Sequence, residues 1–102
     1  MCLIKKYLKS RKSCKVTFRL DGEETKNART IHVVGEFNGW NKYVTPMKKK
    51  KDNSFTAIVE LEPGKDYQFR YLVNLEEWEN DWNADNYIPT DCGNCDNSVV
   101  SV

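Results

Sequence analysis

A chain of 102 residues with 39% hydrophobic and 30% charged side chains has the size and composition of one soluble globular domain with a single core. Its formal net charge of +1 excludes a whole-molecule attraction to nucleic acid, and no apolar run approaches the roughly 20 residues of a membrane span. The opening Met-Cys-Leu-Ile-Lys-Lys is too short for a secretory signal, and Cys2 stands where myristoylation requires glycine, so a cytoplasmic protein is expected.

Residues 1–13 are expected to form an N-terminal arm ahead of a domain over 14–102. In that arm Leu3, Ile4, Tyr7 and Leu8 fit either a short helical stripe among lysines or an extended segment lying on the body. Val16, Phe18 and Leu20 then alternate with Lys15, Thr17 and Arg19, the period-two signature of a strand with one buried face. Asp21–Thr30 is polar and reads as a loop. Ile31–Gly35 is the second strand, and it runs into Glu36-Phe-Asn-Gly-Trp40. Asn38-Gly39 tolerates positive φ and reverses the chain. Of the two aromatics flanking that turn, one is expected to anchor it to the core and the other to be held out as a flat apolar plate.

Lys48–Lys51 ahead of Asp52-Asn53 reads as a solvated hairpin tip. Phe55, Ala57, Val59 and Leu61 form the inward face of the next strand. Glu62-Pro63-Gly64-Lys65 is a turn expected to close a hairpin. The following strand places Tyr67, Phe69, Tyr71 and Val73 on one face and Gln68, Arg70 and Leu72 on the other, and Ser98–Val102 is the last strand. Short strands separated by turn signals, with no convincing helix, indicate an all-β, β-sandwich domain.

Charge is segregated along the chain. Residues 1–19 carry seven basic side chains and no acid, and residues 74–102 carry seven acids and no Lys or Arg. Pairing of the first and last strands would turn this into intramolecular complementarity, which is favoured over a basic arm for nucleic acid. Cys2, Cys14, Cys92 and Cys95 supply one Cys-x-x-Cys and two isolated residues, where a structural zinc site usually brings two close pairs. No metal and no cofactor are expected. Asp81-Trp-Asn83-Ala-Asp85 opens like a calcium loop, but Asn86 replaces the required Gly and Cys92 the bidentate Glu, so it reads as a polar turn.

Trp78 and Trp82 lie among Glu76, Glu77, Glu79 and Asp81, a setting that cannot be a core strand because unpaired charges would be buried. At least one indole should therefore face solvent, and Trp82 is expected to cover the core edge. An exposed indole packs on the C–H face of a pyranose while neighbouring amides and cations bond the hydroxyls. A carboxylate pair from Glu76, Glu77 and Asp81 would be the beginnings of a glycosidase, but no spacing fixes it in a cleft. His32 sits within a strand, beside no nucleophile. The chain reads as non-catalytic.

The chain resembles the glycogen-binding, isoamylase N-terminal-like domains of carbohydrate-binding module family 48. The resemblance is carried by Val33-Val-Gly-Glu-Phe-Asn-Gly-Trp40, Phe55–Leu61, Tyr67-Gln-Phe-Arg-Tyr-Leu-Val73, Trp78, Asn80-Asp81 and Asn97-Ser-Val-Val-Ser-Val102, over about residues 14–102. It implies an immunoglobulin-like, early-set β-sandwich that binds α-1,4-glucans such as glycogen, starch or maltooligosaccharides. It further implies that Trp40 and Trp78 are the sugar-stacking indoles, Arg70 a basic residue reaching the hydroxyls, and Asn97 a hydrogen-bonding amide. Gly93-Asn94-Cys95 departs from the Leu and Thr that kinase-associated members place against the sugar. A glycogen-metabolising enzyme in trans is a further expected partner. The alternative is a protein-interaction or structural module with a vestigial glucan site.

Overall fold

The structure is a computed structural model and describes residues 2–9, 12–90 and 96–102. Its strands form two antiparallel sheets packed as an immunoglobulin-like β-sandwich, with no α-helix among the described residues. Strands β1 (Cys2–Leu8), β2 (Ser13–Leu20), β5 (Phe55–Leu61) and β4 (Lys48–Lys49) make the first sheet, in the order β1-β2-β5-β4. Strands β3 (Ile31–Gly35), β6 (Asp66–Val73), β9 (Asp96–Ser101) and β8 (Asn86–Pro89) make the second, in the order β3-β6-β9-β8. Strand β7 (Glu77–Glu79) continues along β6 where β9 leaves off: β9 pairs residues 66–69 and β7 pairs residues 71–73.

The inward residues of the alternating strands meet as expected. Cys14, Val16, Phe18 and Leu20 from β2, Phe55 and Leu61 from β5, and Phe69, Tyr71 and Val73 from β6 share one core. Phe18 is its centre, edge-on to Phe69 at 5.0 Å and to Tyr71 at 6.4 Å between ring centroids.

Two expectations are corrected and one open alternative is resolved. The Pro63-Gly64 turn exists, but it passes from one sheet to the other instead of closing a hairpin, because β5 pairs β2 and β6 pairs β3. The Tyr67 hydroxyl contacts both the N–H and the C=O of Glu62, while Gly64 N–H donates to Val102 O and Val102 N–H to Lys65 O, all four at 3.0–3.2 Å. These bonds tie the turn to the end of β9. Residues 2–8 are extended, as one of the two alternatives had it, and pair with β2 throughout. The first and last strands do not pair with each other. The opposite charges meet instead across the sheets, in a 2.6 Å ion pair between Lys5 Nζ and Asp85 Oδ2.

A second apolar layer lies on the outer face of the second sheet. Val34, Leu72 and Val99 point away from the main core, yet they are fully buried and stand outside the central cluster. Each is the register neighbour of a larger or polar residue on the same face: Val34 of Arg70, Leu72 of Trp78 and Val99 of Gln68. This covered strip is the floor on which the candidate site is built.

Asp81 is the buried polar hub beneath that face. Its Oδ2 accepts from the Tyr71 hydroxyl at 2.7 Å and its Oδ1 from Asn83 N–H at 2.8 Å, while its own N–H donates to Ser98 Oγ at 2.9 Å. The Tyr87 hydroxyl donates to its carbonyl at 2.6 Å. Asp85 Oδ2 is committed to Lys5 and to Ser101 N–H, so the two carboxylates of the would-be calcium loop serve separate structural roles. The polar-turn reading of that segment stands.

Candidate functional site

The segment after β3 is shaped by three local constraints. At Gly35 an added Cβ would lie 2.6 Å from Gln68 O and 2.7 Å from Phe69 Cβ, so only glycine allows β3 and β6 to approach this closely. Asn38 Oδ1 then accepts from Gly35 N–H at 3.0 Å, and its Nδ2 donates to Val33 O and Thr45 Oγ1 at 2.9 and 3.0 Å. One side chain thereby closes a 3-10 turn over Glu36–Asn38. Gly39 and Trp40 both follow in the left-handed region, at φ 66° and 59°. For a bulky L-residue that conformation costs on the order of 1–2 kcal/mol, and the Trp40 N–H to Gly35 O bond of 2.9 Å helps hold it.

The two aromatics of this turn divide as expected. Phe37 packs into the core, 5.6 Å from the Phe18 ring and 6.4 Å from Tyr67. Trp40 is held out, 40% exposed.

Trp78 reaches the same face from the middle of β7, opposite Leu72. It is 42% exposed. Glu77 and Glu79 alternate to the other side of this short strand, which keeps their charges off the face that carries the indole. Arg70 comes from β6 and Asn97 from β9. Because Phe69 is in register with Ser98, Arg70 and Asn97 fall side by side one step further on. Their side chains bond directly, Arg70 Nε donating to Asn97 Oδ1 at 2.6 Å.

Trp40, Arg70, Trp78 and Asn97 together line one open cleft of about 300 Å³. Four positions spread over 58 residues of sequence thus converge. No carboxylate is among these lining residues, and Arg70 has no ion-pair partner among the described residues. Lys42 adds a second cation near the rim, its Nζ 5.9 Å from the Trp78 ring centroid. The polar groups displayed are therefore chiefly donors beside two apolar plates.

Other expectations resolve differently. Trp82 is 68% exposed and does not lie over the core edge as expected. Its neighbour Asp81 turns inward to Tyr71, which leaves the indole outside. Glu76, Glu77 and Asp81 are not brought together at the cleft. His32 lies in β3 opposite Leu72, half-buried, its Nδ1 without a hydrogen-bond partner. Cys14 is buried in the core, while Cys92, Cys95 and the Gly93-Asn94-Cys95 departure lie outside the described residues, as does the Cys2 side chain. Among the described residues no group of three or more His, Cys, Asp or Glu is placed to hold a metal ion, and no helix is long and apolar enough to cross a membrane.

Two supports of the site had no strong sequence signal. Glu36 Oε1 accepts from Gln68 N–H at 2.6 Å, joining the turn that carries Trp40 to the strand that carries Arg70. Gln68 Oε1 accepts from Asn97 Nδ2 at 2.9 Å. The apolar floor did leave a trace. Val33-Val34 and Tyr71-Leu72-Val73 are unbroken apolar runs where a strand with one solvated face would alternate.

No curated protein matches the chain significantly. A family profile described as the glycogen recognition site of AMP-activated protein kinase matches residues 15–102. That match covers the sandwich except β1 and the first two residues of β2, and it includes every residue of the cleft. The chain belongs to this family of glycogen-recognition domains, a branch of carbohydrate-binding module family 48.

Proposed function

We propose that the cleft binds α-1,4-glucan without catalysis, Trp40 and Trp78 stacking on glucose rings while Arg70 and Asn97 bond their hydroxyls. The observation that carries this reading is the convergence of two half-exposed indoles and a guanidinium–carboxamide pair on one open face. The left-handed Trp40 supports it further, since backbone strain of this kind persists where the surrounding structure holds a side chain in a working position. Exposed π-faces contribute roughly 1–3 kcal/mol each when a ring stacks on them, by analogy with base stacking. Two plates on an open surface then give a dissociation constant between about micromolar and millimolar. A glycogen-metabolising enzyme bound to the same polymer is the natural partner, met through the shared glucan.

Stacking of a neutral sugar is barely screened by salt, whereas docking on another protein through the basic residues of positions 1–19 is strongly screened. Retardation of the protein in glycogen-containing gels is therefore expected to change by less than about twofold between roughly 0.05 and 0.5 M NaCl. A loss of tenfold or more over that range would contradict glucan stacking and favour the interaction-module alternative.

A further inference from the structure

The side chains around Arg70 form a chain of bonds with one direction. Gln68 Oε1 accepts from Asn97 Nδ2, and Asn97 Oδ1 accepts from Arg70 Nε. A carboxamide can present its oxygen or its NH2 group to a given neighbour, and a guanidinium can only donate. If Asn97 were flipped, its NH2 would face Arg70, donor against donor. The guanidinium therefore selects the Asn97 oxygen, and Gln68 Oε1 accepts from the NH2 group turned away from it, which holds the carboxamide at both ends.

Gln68 itself is not among the residues that line the cleft. It stands two residues before Arg70 on the same face of β6, opposite buried Val99, and its backbone N–H is held by Glu36. Its position is thus fixed from below and from the side. With Nε engaged by Asn97, Arg70 keeps its two terminal NH2 groups for a ligand. They form a fork of parallel donors that suits the two oxygens of a vicinal diol.

We propose that Gln68 is a positioning residue for the cleft, bracing the Asn97 carboxamide in the orientation that Arg70 selects and, through it, holding the guanidinium of Arg70 in place. The inference rests on the glucan reading above for its effect on affinity. It predicts coupling, because groups that act in series lose their effects together.

The test is a double-mutant cycle on the whole chain with maltoheptaose as the ligand. Gln68→Met keeps the length of the side chain and removes the acceptor. It is expected to weaken binding about fivefold to tenfold, with an unchanged amide spectrum, and to have no further effect in an Asn97→Ala background. Gln68→Thr, a good strand former without the reach, replaces it should methionine disturb the fold. The second readout is the Arg70 Nε–H resonance in the free protein. It is expected to be protected from exchange in the wild type and to lose that protection in the Gln68 variant. An equal loss of affinity in both backgrounds, or an unaltered Nε–H, would overturn the proposal. The proton readout needs no sugar, so a wild-type chain that bound no glucan would defeat the proposed function and leave this inference to Arg70 alone.

Discussion

Trp78→Ala is expected to weaken maltoheptaose binding by about 5- to 150-fold while the domain remains folded. That range is the affinity equivalent of losing one stacking plate of roughly 1–3 kcal/mol. Trp78 sits on a three-residue strand at the margin of the second sheet, 42% exposed, so little of the core depends on it. Its removal uncovers part of Leu72, a modest cost against a total stability of about 5–15 kcal/mol. Trp40→Ala is expected to lose binding to a similar degree, since Phe37 and Asn38 hold the turn without the indole. Trp82→Ala, exposed and away from the cleft lining, is the control and should bind as the wild type does. Calorimetric titration of the three variants checks the set. Full binding by folded Trp40→Ala and Trp78→Ala together would remove the stacking mechanism.

The largest stability effect is expected at Asp81. Its carboxylate accepts from the Tyr71 hydroxyl in the core and from Asn83 N–H, and its backbone anchors Ser98 and Tyr87. Asp81→Ala leaves a buried phenol hydroxyl without this acceptor and opens a small void beside it. Losing such a hydrogen-bonded buried carboxylate is expected to cost about 2–4 kcal/mol, which lowers the thermal midpoint by roughly 10–25 °C in a domain of this size. Thermal unfolding followed by circular dichroism measures it. A midpoint within about 3 °C of the wild type would show that the hub is dispensable.

Much of this architecture is legible in the sequence because alternation is a strong signal. Val16/Phe18/Leu20 and Phe69/Tyr71/Val73 declare their inward faces, and both do lie in the core. Pairing partners are less legible. Pro63-Gly64 has the chemistry of a tight turn whether it closes a hairpin or crosses between sheets, and only bonds to the far end of β9 decide between these. The short strands β4, β7 and β8 carry no periodicity long enough to read.

At the site, the Gly-Glu-Phe-Asn-Gly-Trp segment advertises a turn with two aromatics. Which ring is buried depends on the hand of the backbone at Gly39 and Trp40. Trp82 misleads because polarity is shared by its whole neighbourhood, and the inward residue there turns out to be the charged one, Asp81. Glu36 and Gln68 were invisible for a related reason. A polar residue in a turn or on an outward strand position looks solvated whether it meets water or holds another part of the chain.

The central claim is that this cleft holds a glucan between two indoles. It is tested most directly by following amide and indole N–H resonances during titration with maltoheptaose and β-cyclodextrin. The account predicts saturable shifts at the Trp40 and Trp78 indoles and at the Arg70 and Asn97 side chains, with Trp82 unmoved. Absence of shifts at millimolar sugar, or shifts confined to the outer face of the first sheet, would contradict it.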